Sequence, residues 1–139
     1  MTTHHMADTL TGPVRTDTDV LSRVELLIDP VDRLRQSLWL FFVDRDDTQA
    51  RVVVPIDGVP ADPDPDEVGK LCWIIAEVLR NTEPDGSVII TITRPGPAVI
   101  GERDRIWQER LKDGAILHGA RIRLICLATP DGVLPLTGD

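Results

Sequence analysis

Lysine is nearly absent from this chain: Lys70 and Lys112 are the only two among 15 basic residues, against 23 aspartates and glutamates, for a net charge of −8. An acidic surface repels phosphate backbones, which argues against a general nucleic-acid binder. Long apolar runs are missing too. A run such as Leu38 to Val43 falls far short of the roughly 20 residues needed to span a bilayer. The opening "MTTHHMADTLTGP" has no apolar core of the kind a secretory signal needs. Cysteine is limited to Cys72 and Cys126, each inside an apolar segment, without CxxC spacing or a histidine partner. That excludes a zinc knuckle or redox motif and reads as two buried, reduced thiols of a cytoplasmic protein. Serine occurs only as Ser22, Ser37 and Ser87, none beside a plausible base. Neither GxSxG nor a Walker A sequence is present, and "RPGPAVIGE" is not GxGxxG.

What is there suffices for one core. At 139 residues with 42% hydrophobic content, the chain fits a single α/β domain over 18–139 behind a polar, poorly ordered leader over 1–17. His4 and His5 fall in that leader and read as incidental. Val20, Leu21, Val24, Leu27 and Ile28 recur at helical spacing, with Asp17 or Asp19 as the expected N-cap. "SLWLFFVD" and "RVVVPI" read as an antiparallel hairpin around "RDDTQA", with Pro55 suited to a strand end or an edge. Asp57, Asp62, Asp64 and Asp66 stud a proline-rich loop that lacks the EF-hand's glycine and distal glutamate, so it reads as a solvated capping loop. A second helix follows, with Val68, Leu71, Cys72, Ile75, Val78 and Leu79 on one face; Trp73 and Ile74 widen that face and predict cover on more than one side. A strand over 87–93, a helix from about Glu102 to Leu117 stopped by Gly119, a strand over 120–129 and a short "VLPL" strand complete the order α-β-β-α-β-α-β-β. Its strand–helix–strand middle requires crossovers and some parallel pairing, while the terminal hairpins add antiparallel strands. The expectation is a mixed sheet with helices packed on it. Trp39, Trp73 and Trp107 are read as core residues, with any partly exposed one a candidate interface anchor.

One window bears on chemistry. "SVIITITRPGPAVIGERDRIW" carries a strand into Arg94-Pro95-Gly96-Pro97 and restarts as a helix near Gly101. A strand end facing a helix start is where α/β proteins keep their sites. Here the element order, Pro95, Asp104 and the closing "ILHGARIRLICLATPDGVLPL" resemble the RadC/JAB (MPN) metalloprotease-like domains over roughly residues 37–136. The resemblance implies that family's three-layer, cytidine deaminase-like arrangement. It also implies a zinc site of two strand histidines and a helix aspartate, with a glutamate from an earlier strand. This sequence departs from the pattern at the chemistry. Ile92 and Arg94 stand in the histidine places, Gly101 in the serine place, and no glutamate stands on either early strand. Family members without the metal serve as scaffolding partners, which implies a protein partner or a homodimer here.

The residues alone lead the same way. Isoleucine has no lone pair to donate, arginine is a permanent cation, and catalytic zinc needs three protein ligands. His118, at the end of the last helix, reads as a dipole-compatible surface residue. No metal and no cofactor are expected. Arg94 and Asp104 are expected to meet where a metal would otherwise sit; the alternative has Arg94 in water and Asp104 as a first-turn carboxylate. Two functions stay open: a non-catalytic interaction domain, or a small-anion binder or metal-independent enzyme using Thr91, Thr93, Arg94 and Asp104. Neither reading involves a membrane.

Overall fold

The computed structural model describes residues 12–137, apart from the side chains of residues 50–52. His4 and His5, with most of the expected leader, lie outside that range. Residues 12–17 lie inside it and are built into the fold. Val14 is fully buried, Pro13 bridges to Thr48, and Thr16 caps the first helix. That helix, α1 (Asp17–Leu27), is held by a capping box in which the Thr16 hydroxyl accepts from the Asp19 N–H and the Asp19 carboxylate accepts from the Thr16 N–H. The cap is therefore Thr16 rather than either aspartate.

A single 3-10 turn (Asp32–Leu34) leads into β1 (Ser37–Val43), which pairs antiparallel with β2 (Gln49–Asp57). Asp44 organises the turn between them, its carboxylate accepting from the N–H groups of Asp46 and Thr48. Helix α2 (Pro65–Thr82) starts at an Asp64 cap with proline in its first turn, where a missing N–H costs nothing. Strand β3 (Ser87–Thr93) follows, then α3 (Glu102–His118), β4 (Ile122–Thr129) and β5 (Gly132–Pro135). Gly119 ends α3 in the left-handed region at φ 76°, and the N–H groups of Gly119 and Ala120 both close on the Ala115 carbonyl.

The five strands form one mixed sheet in the order β2-β1-β3-β4-β5. β3–β4 is its parallel pair, joined by α3 as crossover; the other neighbours run antiparallel. β3 lies at the centre with all seven residues buried. Alternation along the strands splits the core into two layers. Leu38, Leu40, Ile90 and Ile92 face α2 and α3 along with Ile75 and Leu111, whereas Phe41, Ile89 and Cys126 face α1 along with Val20 and Val24. The expected mixed α/β sheet with helices packed on it is present, with three helices among the described residues on its two faces.

Two details of packing decide how much freedom the layers keep. α2 and α3 cross at Gly114, where a Cβ would stand 2.7 Å from Cys72 Sγ. On the opposite face, the buried Arg33 side chain donates to the carbonyls of Ile28, Glu25 and Thr129, tying the C-terminal end of α1 to the end of β4. Cover is not complete on α2. Trp73 and Ile74 are 53% and 50% exposed, so the outer side of this helix is open rather than packed as its width of apolar face predicts. No helix among the described residues is long and apolar enough to cross a membrane.

Candidate functional site

β3 delivers its last residues to the point where the parallel pair ends, and α3 begins facing it. Arg94 follows Thr93 directly, keeps one strand-like contact by donating its N–H to Ala128 O, and turns its side chain towards the first turn of α3. Its Nε lies 2.9 Å from Asp104 Oδ1 and its Nη2 lies 2.8 Å from Oδ2, a bidentate ion pair between side chains 19% and 4% exposed. Asp104 Oδ2 also accepts from the Gly101 N–H at 2.8 Å, the helix-side half of a capping box. The expected pairing of Arg94 with Asp104 is present; the alternative, with Arg94 in water, is not, although Asp104 does also serve as a first-turn carboxylate.

The remaining donors of Arg94 are also engaged. Nη2 donates to Val99 O, and Nη1 to Pro95 O and, at 3.4 Å, Pro97 O. A guanidinium has five N–H groups, and all five have acceptors. The loop of residues 95–99 wraps the cation, with Gly96 at φ 101° making the tightest bend. Charge follows geometry. The hydrogen bonds to Asp104 raise the Arg94 pKa, with burial opposing and the carboxylate charge assisting. Burial by itself would raise the Asp104 carboxyl, but the Arg94 and Gly101 hydrogen bonds and the guanidinium charge reverse this and hold it below the usual carboxylate range.

The two threonines expected to join this site do not. Thr91 and Thr93 are fully buried and belong to the opposite face of β3, because Ile92 and Arg94 alternate with them. Thr93 donates to Arg35 O and bonds the Ser37 hydroxyl at the start of β1, while Thr91 sits beside the Cys126 thiol of β4. The four-residue set thus divides into an Arg94–Asp104 pair on the α3 side and two interior hydroxyls on the α1 side.

Could these residues hold a zinc ion? Ile92 is buried in the apolar layer, Arg94 brings a cation, and both Asp104 oxygens already accept hydrogen bonds. The donor set does not fit the ion. Among the described residues, no group of three His, Cys, Asp or Glu side chains comes together elsewhere in a way that could hold a metal. His118 ends α3, half-buried, in a depression it shares with Trp73.

No family model, no curated protein and no solved structure matches the chain.

A hollow of about 440 Å³ opens beside the pair, lined by Gln36, Ala61, Arg94, Asp104 and Trp107 among others. Trp107 is buried and donates its indole N–H to Ala61 O, pinning the acidic loop against α3. That loop also contributes Asp62, 3.3 Å from Arg103, and Asp64 as the α2 cap, the solvated roles its sequence suggests. Sequence reasoning missed Arg33 and a second buried arginine, Arg23, which donates to Gly12 O and Gln49 Oε1. No local pattern marks either one, because arginine is usually exposed and each draws on a partner distant in sequence, Thr129 for Arg33 and Gln49 for Arg23.

Proposed function

We propose that this chain is a non-catalytic domain of the RadC/JAB (MPN) kind that works through protein–protein contacts. One observation supports the reading: Arg94 and Asp104, which the resemblance aligns with a metal-binding histidine and the metal-binding aspartate, form a closed pair with every guanidinium donor used. A carboxylate left near a missing dication would be costly when buried, and an internal cation compensates it. The order of elements and the Pro95 and Asp104 positions support the family; the half-exposed Trp73 and Ile74 support a domain that acts through its surface.

The alternative, a small-anion binder or a metal-independent enzyme at Thr91, Thr93, Arg94 and Asp104, has weaker support. An anion at Arg94 would have to displace acceptors already in place, and the threonines lie across the sheet.

Zinc titration followed by thermal unfolding tests the proposal. A ligand bound to the native state at a hundredfold excess over its Kd adds about 2.7 kcal/mol. The expected result is no zinc-dependent rise in Tm for the wild-type chain. A rise at equimolar zinc that Asp104→Ala abolishes would overturn the proposal.

A further inference from the structure

The open side of α2 continues into a groove. Between α2 and the β1–β2 hairpin lie two adjoining depressions, of about 490 and 340 Å³, that share Ile74 as a common wall. Leu40, Val54 and Ile56 come from the sheet side and Leu71, Ile74 and Val78 from the helix side. Lining residues on α2 and its cap extend from Asp64 to Thr82, about 27 Å at the helical rise of about 1.5 Å per residue. A rounded apolar trough of that length, walled by one helix, matches the helix-in-groove mode of recognition.

Two observations narrow the occupant. The first is the outer edge of the sheet. β2 ends the sheet on this side and carries Pro55, which has no N–H to offer a strand added there. The second is charge. Asp57, Asp64 and Glu67 line one end and Glu83 the other; among the described lining residues the cation is Lys70, 3.8 Å from Glu67, and Arg35 stands 3.8 Å from Asp57, which leaves the rim acidic on balance. A second copy of this chain would bring the same acidic rim and a further net charge of −8. We infer that the groove between α2 and the β1–β2 hairpin binds an amphipathic helix of a partner protein, with lysines or arginines flanking its apolar stripe. The inference rests on the reading of this domain as one that acts through protein contacts and names the surface and the chemistry.

The probe is a synthetic helix of about 18 residues with leucines at i, i+3, i+4 and i+7 and lysine or arginine elsewhere, measured by fluorescence anisotropy against the full chain. Its controls are the same composition with the leucine spacing scrambled and the same pattern with glutamate in place of the basic residues. Saturable binding of the basic helix alone is expected. Ile74→Gln keeps charge and helix propensity at a half-exposed position, so the fold should survive while binding weakens about tenfold. Asp57→Asn together with Glu67→Gln should weaken binding and flatten its salt dependence. Equal binding of the scrambled or acidic peptide, no saturable binding, or indifference to Ile74→Gln would overturn the inference. So would a dimer, seen by sedimentation of the chain alone, that Ile74→Gln dissolves. Failure here with no response to zinc removes the groove alone; a zinc response with intact peptide binding removes the non-catalytic reading alone.

Discussion

Arg94 and Asp104 stand ten residues apart and meet through two hydrogen bonds of 2.9 and 2.8 Å, joining the end of the central strand to the start of the last helix. The pair fixes where α3 begins. Its two sides come from separate elements, so it reports directly on how the loop between them is held.

Removing one partner leaves the other ion buried. Asp104→Asn and Arg94→Met should each destabilise by about 3 kcal/mol, with a double-mutant cycle showing strong coupling. Asp104 is held below the ordinary aspartate value of about 3.9, so the unfolded chain binds that proton more tightly. Its stabilising contribution is complete above that value and is lost as pH falls through the lower native one. Urea midpoints for wild type and Asp104→Asn should therefore converge below about pH 4.

Arg94→Lys retains the charge but not the fork. One ammonium cannot serve both carboxylate oxygens and the carbonyls of Pro95, Pro97 and Val99. A loss of about 1–3 kcal/mol is expected, together with faster amide exchange across residues 95–101, read by hydrogen-exchange mass spectrometry.

The α2–α3 crossing gives a packing test. Gly114→Ala places a methyl group 2.7 Å from Cys72 Sγ and 3.2 Å from its Cβ. Overpacking of this kind costs about 1–3 kcal/mol despite alanine's better helix propensity. Adding Cys72→Ala should recover part of that loss, so the double variant melts above the sum of the singles.

Neither thiol should react while the protein is folded. Burial pushes Cys72 up to about 11, and burial, only partly offset by the Thr91 hydroxyl, pushes Cys126 up to about 12. At pH 8 both are protonated and shielded, so labelling by a thiol reagent should require denaturant and reach two groups per chain only then.

Much of the fold was legible in the sequence because its signals are local. Strand 87–93, the helix starting at Glu102 and the Gly119 stop follow from apolar runs, loop prolines and a left-handed glycine. Thr16 was obscured by the two aspartates beside it, although Thr16-x-x-Asp19 is itself a capping-box pattern. Within the site, the ion pair was legible and the threonines were misplaced. The alternation that puts positions 92 and 94 on one face puts 91 and 93 on the other, so the four residues never shared a side. The open flank of α2 was hidden for a different reason: periodicity reveals which residues are apolar, not whether anything lies over them.

β3 has a consequence for how the chain is made. Its second neighbour, β4, begins only at Ile122, nearly thirty residues after β3 ends. A nascent or clipped polypeptide that stops short of Ile122 therefore leaves the most central strand unpaired along one whole side, a template for aggregation. Synthesis of Ile122–Thr129 is what seals it.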